Sequence, residues 1–177
     1  GPNGLCVAAY LSKAGQKVVV LERYFEVGGG LATEEVTLGG FYHNTHCIYH
    51  MMVDYAPVYQ DLELEKYRCK YIYPELQVAM PFSDGKCLCL YSDVDRSCDS
   101  IAKFSAKDAK SYREVFHKFK LFMDEFLAPG TYVKPLPTLE AVVGMEKTEI
   151  GRELSEYQHK SPQEIVYEHF ENERVRT

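Results

Sequence analysis

The sequence predicts an α/β protein. Its first part reads as a βαβ unit whose first strand is missing, and its second as part of an α+β region with an antiparallel sheet. Three observations predict this. The chain opens on a glycine turn, an apolar helix and the strand-like run Lys17-Val18-Val19-Val20-Leu21-Glu22. A second strand-rich stretch folds back at Asp84-Gly85, a hairpin turn signal. From Ser105 onward the apolar residues recur at helical spacing.

The bulk numbers exclude several classes. A chain of 177 residues is long enough for one domain with a core, or for part of a larger protein. A net charge of -6 and a pI near 5.5 argue against nucleic acid as a partner. No apolar run approaches the length of a membrane span. No signal peptide precedes the glycine turn, and a cytoplasmic location is expected. The six cysteines form no C-x-x-C pair and are expected to be reduced, mostly buried thiols. Cys87 and Cys89, two apart in a predicted strand, share a face.

The first helix is predicted to start near Pro2 or Asn3, because proline suits a first turn where its missing N–H is not needed. Gly15 ends it, and Lys17–Glu22 follows as a buried strand, nearly all apolar and β-branched. Gly1 and Gly4 have the spacing of the last two glycines of G-x-G-x-x-G. One admits a pyrophosphate to the backbone, and the other lets the helix pack tightly on the strand. The helix N-terminus offers N–H groups and a positive dipole to phosphate. Glu22, eighteen residues after Gly4, stands at the strand end, where a carboxylate accepts hydrogen bonds from ribose hydroxyls. Gly28-Gly29-Gly30 follows. This order is that of a Rossmann-like dinucleotide-binding unit. Its first strand and first glycine do not occur, so the chain is expected to begin inside the motif, as a fragment of a longer protein.

Gly40-Phe41-Tyr42-His43-Asn44-Thr45-His46-Cys47-Ile48-Tyr49-His50 packs three histidines and a cysteine into eleven residues. Thr33–Leu38 suggests a short strand, Gly39-Gly40 a turn and Phe41–Thr45 a second strand. A helix over His46–Met52 would put His46 and His50 on one face, a spacing that suits zinc. No H-E-x-x-H pattern occurs and no distant Cys or His pair completes a site. Histidines hydrogen-bonded in a turn are therefore the better reading, and no metal is expected.

Alternation over Arg68–Pro81 and the Asp84-Gly85 turn predict an antiparallel meander. Ser105 is the predicted N-cap of a helix running to about Leu127. Val115, Phe116, Phe119, Phe122, Met123 and Phe126 give it an apolar stripe, read as core ahead of a lipid-facing or partner-facing surface. Residues 128–148, with Pro129, Pro135 and Pro137, read as a mobile loop or linker. Ser161-Pro162-Gln163-Glu164 is a capping box that opens a final helix.

The segments GPNGL, AG-x-x-VVVLER, GGGLATEE, GFYHNTH and SPQEIVYEHFENERVR together carry a resemblance. They resemble the N-terminal part of the phytoene desaturase-like, or phytoene dehydrogenase-related, FAD-dependent oxidoreductases of the amine-oxidase-like class. Within that class they look most like the branch of the pyridine nucleotide-disulphide oxidoreductase domain-containing protein 2 type. The resemblance implies FAD as cofactor. It implies that Gly1, Asn3 and Gly4 hold the pyrophosphate, Glu22 the adenosine ribose, and that Arg23, Gly29 and Gly30 lie against the cofactor. Many relatives carry arginine where this chain has Gly30, which leaves a backbone contact there. The segment after the glycine loop runs toward the flavin ring in the class. His43, Asn44 and His46 are the candidates, with His46 taken as cofactor-binding. The catalytic residues are unassigned.

The same resemblance divides the chain into 1–66, a partial FAD-binding Rossmann-like region, and 67–177, a partial substrate-domain region. Tyr67, Tyr71, Tyr73, Phe82 and Tyr91 read as sheet core, or as the lining of a cavity for a hydrophobic substrate. The implied activity is dehydrogenation or isomerisation of a hydrophobic unsaturated small molecule by the full-length parent, with the fragment alone inactive. Peripheral membrane contact and homo-oligomer formation stay open. The alternative is a non-catalytic scaffold or interaction protein with a truncated flavoprotein fold. A third reading is an NAD(P)-dependent dehydrogenase, in which Glu22 would repel the 2′-phosphate of NADP.

Overall fold

Helix α1 spans Pro2–Lys13 in the computed structural model, which describes residues 1–177. Pro2 sits in its first turn as expected. Gly15, at a φ of 81°, ends it in a Schellman motif: the Gly15 N–H donates to Ser12 O at 2.9 Å and the Gln16 N–H to Leu11 O at 3.0 Å. The chain forms two compact units, Gly1–Lys70 and Tyr71–Thr177.

The first unit continues with a 3₁₀ turn at Gly29–Leu31. Strands β1 (Thr33–Glu34) and β2 (His43–Asn44) pair antiparallel, with Thr33 opposite Asn44 and Glu34 opposite His43. The expected strands over Thr33–Leu38 and Phe41–Thr45 thus shrink to two residues each. After a 3₁₀ turn at Val53–Tyr55, the short helix α2 (Val58–Asp61) meets α1, where the Tyr10 hydroxyl donates to Asp61 Oδ2 at 2.7 Å.

Two expectations fail in this unit. Lys17–Glu22 is not a buried strand: it is extended but unpaired, with Val19 82% and Leu21 90% exposed. No other strand of the chain lies beside it to take its backbone bonds and cover its side chains, and pattern alone cannot supply a ladder. His46–Met52 is not helical either, so His46 and His50 do not share a helix face. Ile48 and Tyr49 are weak helix formers, and Thr45, placed to cap such a helix, instead donates its hydroxyl to Glu34 Oε2 at 2.9 Å. In the whole unit only Gly28 is buried.

The second unit opens on a hairpin of β3 (Leu76–Pro81) and β4 (Cys87–Tyr91). The strands are antiparallel and turn at Gly85, whose φ is 81°. This is two strands rather than a meander, because the alternation before Leu76 acquires no partner. Helix α3 (Val94–Ala102) follows, capped by Asp93, whose Oδ1 accepts from the Asp95 N–H at 2.8 Å and the Arg96 N–H at 3.1 Å. Helix α4 (Ala106–Phe122) starts at the expected cap, with Ser105 Oγ accepting the Asp108 N–H at 3.1 Å.

The α4 chain does not stop before Pro129. It passes through a π turn at Met123–Leu127 into α5 (Ala128–Thr131). Pro129 has no N–H to continue the α pattern, and the change of pitch comes one turn before it. Residues 128–148 are therefore not a plain linker. They hold α5 and α6 (Thr138–Glu146), where Leu139, Ala141 and Met145 are good helix formers placed after Pro137. Helices α7 (Glu149–Gln158) and α8 (Pro162–His169) complete the unit, the latter with the predicted capping box.

The core gathers Leu88 of β4, Cys98 and Ile101 of α3 and Ala109 of α4, flanked by Phe82, Leu90, Phe104 and Val175. A second centre is Phe122, 0% exposed, against Phe119 and Tyr157 with ring centroids 5.4 and 5.6 Å away. Burying that ring contributes about 2–3 kcal/mol. The expected stripe is thus core at Phe122, partly covered at Val115, Phe116, Met123 and Phe126, and exposed at Phe119. Of the six cysteines only Cys98 is buried, the other five being half-buried free thiols; the expectation of mostly buried cysteines fails because Cys87 and Cys89 face away from the core. No helix is long and apolar enough to cross a membrane.

Candidate functional site

The site begins at the N-terminus of α1. Gly1 is its N-cap residue and carries no side chain to occupy the helix end. The first intrahelical bond runs from the Leu5 N–H to Gly1 O at 3.2 Å. The N–H groups of Asn3 and Gly4 precede it and point out of the helix end, where the dipole is positive.

Gly29 closes on this end. Its φ is 57°, in the left-handed region, and a Cβ built on it would stand 3.0 Å from Gly1 Cα and 3.6 Å from Gly1 N. Only a glycine allows that approach without displacing backbone. Glu22 reaches the same place, with Oε2 3.9 Å from the Gly1 nitrogen. Three of the expected residues, far apart in sequence, therefore converge on one helix terminus.

Glu22 is held by its own turn. Its Oε1 accepts the Tyr24 N–H at 3.0 Å and the Arg23 N–H at 2.8 Å. These two bonds, Tyr24 first, hold its carboxyl below the usual glutamate range. Oε1 is satisfied by backbone, and Oε2 is left as the acceptor facing Gly1.

A cavity of about 240 Å³ lies beside this carboxylate, lined by Glu22, Tyr24, Glu26, Gly29, Ala32, Glu34 and His46. It is smaller than the roughly 300–1,000 Å³ of pockets that take a whole ligand. Glu22, Glu26 and Glu34 make it acidic, which suits hydroxyl donors such as those of a ribose and repels phosphate. Phosphate would be received at the α1 end instead.

The histidine cluster divides. His46 lines the cavity. His43 Nε2 is 2.7 Å from Thr37 Oγ1, and Asn44 Oδ1 accepts the Thr33 hydroxyl at 2.8 Å, so these two side chains tie the β1–β2 ribbon together. Glu34 Oε2 likewise accepts the Thr45 hydroxyl at 2.9 Å. No three His, Cys, Asp or Glu side chains are placed to share a metal ion.

The remaining candidates sit at the margin. Arg23 contributes its backbone N–H to Glu22 and is not in the cavity wall. Gly30 belongs to the 3₁₀ turn, and a Cβ there would meet nothing within 4 Å. The same holds for Gly4, where tight packing on a strand was expected; with Lys17–Glu22 unpaired, no strand lies against it. Sequence reasoning missed Tyr24, Glu26, Ala32 and Glu34 as wall residues. Their signal was position alone: they flank Glu22 and the glycine loop.

Comparison with known proteins finds one family model and several relatives. Residues 1–63 match the family of NAD(P)-binding Rossmann-like domains. The chain is 41% identical over 165 residues to a limonene dehydrogenase subunit of Castellaniella defragrans, across 93% of this chain and 30% of that protein. It is 32% identical over 137 residues to pyridine nucleotide-disulfide oxidoreductase domain-containing protein 2 of Rattus norvegicus, across 72% of this chain and 23% of that protein. The mouse counterpart is 30% identical over 142 residues. The chain spans less than a third of the length of these relatives. No solved structure matches it. The resemblance found in GPNGL and VVVLER holds, and with it the Rossmann-like α/β class of the first part.

Proposed function

We propose, from the match of residues 1–63 to the NAD(P)-binding Rossmann-like domains, that this chain supplies the adenosine and pyrophosphate end of an FAD site. The parent is an oxidoreductase resembling the phytoene desaturases, which dehydrogenates or isomerises a hydrophobic unsaturated molecule. The observation that carries the reading is the convergence of Gly1, Glu22 and Gly29 on the N-terminus of α1. Asn3 and Gly4 would donate backbone N–H groups to the pyrophosphate, and Glu22 Oε2 would accept from the ribose. His46 stands in the wall of the same cavity and would border the cofactor. When bound, the flavin supplies the hydride chemistry, and the protein's part is to hold and orient it.

The substrate class is supported by a relative that is named a limonene dehydrogenase subunit, limonene being an unsaturated hydrocarbon. Region 1–66 would serve the cofactor and region 67–177 the substrate, in a cytoplasmic protein. The acidic cavity favours FAD or NAD over NADP, whose 2′-phosphate three carboxylates would repel. A non-catalytic scaffold is the second reading, and the isolated chain, whose Lys17–Glu22 segment is exposed and unpaired, would be inactive.

The deciding experiment is an absorption spectrum of the purified full-length parent. Flavin bands that leave the protein on denaturation support the enzyme. A folded, colourless parent that FAD does not reconstitute overturns it in favour of the scaffold.

A further inference from the structure

Cys87 and Cys89 lie two residues apart on β4 and project from the same face. The alternate residues, Leu88 and Leu90, pack into the core on the other face. The two sulfurs are 3.6 Å apart, with the Cys89 thiol directed at Cys87 Sγ. Both residues are half-buried, and neither is in a disulfide. The strand register places Pro81 opposite Cys87 and Ala79 opposite Cys89, so the neighbours on that face are compact and carry no ligating side-chain atom.

This spacing fits a bridging atom better than a disulfide. Two metal–sulfur bonds of about 2.3 Å at a tetrahedral angle put the sulfurs about 3.8 Å apart. A disulfide needs about 2.0 Å between sulfurs and Cα atoms within about 6.8 Å, and next-but-one residues of an extended strand lie near that limit, at about 6.6 Å. No third His, Cys, Asp or Glu is grouped with the pair, which rules out a four-residue zinc set at this face. Soft, polarisable centres that accept two thiolates remain.

We propose that Cys87 and Cys89 form a chelating dithiol site for a soft, thiophilic centre that holds its two sulfurs at a bent, near-tetrahedral angle. Binding a cation replaces the two thiol protons, which pass to solvent, with two metal–sulfur bonds and changes no oxidation state.

The test uses phenylarsine oxide, a trivalent arsenical, on the folded chain. Two S–H bonds break and two As–S bonds form. The arsenic-bound oxygen leaves as water with the two thiol protons, and arsenic stays trivalent. The expected result is one arsenical per chain by intact mass, retained against excess monothiol and removed by a dithiol. Trypsin cuts after Lys86 and Arg96, and the adduct should map to the peptide 87–96, which needs no variant. Cys87→Ser and Cys89→Ser should retain at least tenfold less, while Cys47→Ser retains the full amount. No retained adduct on the wild-type chain, or an adduct mapping to another peptide, overturns the proposal.

Discussion

Gly29 sits against Gly1 so closely that a β-carbon on it would stand 3.0 Å from the Gly1 Cα, and its φ of 57° is one that L side chains rarely adopt. Both constraints act at the helix end proposed to receive pyrophosphate. Gly29→Ala should therefore push the glycine loop off α1, at a strain of roughly 1–2 kcal/mol. FAD affinity of the full-length parent should fall about 5- to 30-fold. Gly30→Ala, next door, has open space around its new methyl and no positive φ, and should bind FAD as the parent does. Flavin absorbance titrations of the two variants check this, and equal losses would remove Gly29 from its special place.

Glu22 gives a prediction with a sign. Its carboxyl lies below the usual glutamate range because the Tyr24 and Arg23 N–H groups bond the ionised form. A depressed folded pKa contributes stability above the ordinary glutamate range and loses it as pH falls through the folded value. The turn at Glu22 should thus be constant between about pH 6 and 8 and open only in acid. Glu22→Ala in the parent should weaken FAD binding at neutral pH, and Glu22→Gln should remove the acid transition. Retention of flavin against pH, followed by fluorescence of the released cofactor, is the measurement; an unchanged affinity in Glu22→Ala would sink the ribose assignment.

Local chemistry was legible in the sequence where a single side chain decides it. The caps Ser105 and Ser161 and the glycines Gly15 and Gly85 act where their residue types predict. Convergence of the glycine turn, Glu22 and the glycine loop was legible through the spacing of a known motif. The pairing of Lys17–Glu22 was not, because a strand is a relationship and its apolar pattern says only what it would do beside a partner. Helix α3 was missed although Asp93 before Val94, Cys98 and Ile101 is a capped, one-faced pattern. The cavity wall at Tyr24, Glu26 and Glu34 was invisible because irregular loops have no period from which to read a direction.

Asp108, 1% exposed, holds the end of the chain in place. Its Oδ1 accepts the Glu171 N–H at 3.0 Å and its Oδ2 the Asn172 N–H at 2.9 Å, while Asn172 Nδ2 donates to Phe104 O at 3.1 Å. Asp108→Ala removes both acceptors and leaves two part-buried backbone donors. It should destabilise the second unit by about 3 kcal/mol, read from urea unfolding. Lys107→Ala, whose Glu171 partner is solvent-exposed, should change stability by less than about 1 kcal/mol. Comparable losses in the two variants would contradict the role given to the buried carboxylate.

Gly151 and Gly144 make opposite predictions from the same substitution. A Cβ at Gly151 of α7 would lie 2.2 Å from Met145 O and 2.8 Å from Met145 C, atoms of the backbone at the end of α6 that cannot rotate away. Gly151→Ala must separate the two helices or distort the Met145-Thr148 turn, whose Thr148 N–H donates to Met145 O at 3.3 Å. A loss of about 3 kcal/mol or more is expected, in the range of severe overpacking. Gly144, inside α6, has open space where its Cβ would be, and its φ is not in the left-handed region. Gly144→Ala should stabilise the protein by about 0.5–1 kcal/mol by restricting the unfolded chain and favouring the helix. Thermal unfolding of the two variants beside the parent decides it: a tolerated Gly151→Ala would mean that α6 and α7 do not pack as closely as their backbones indicate.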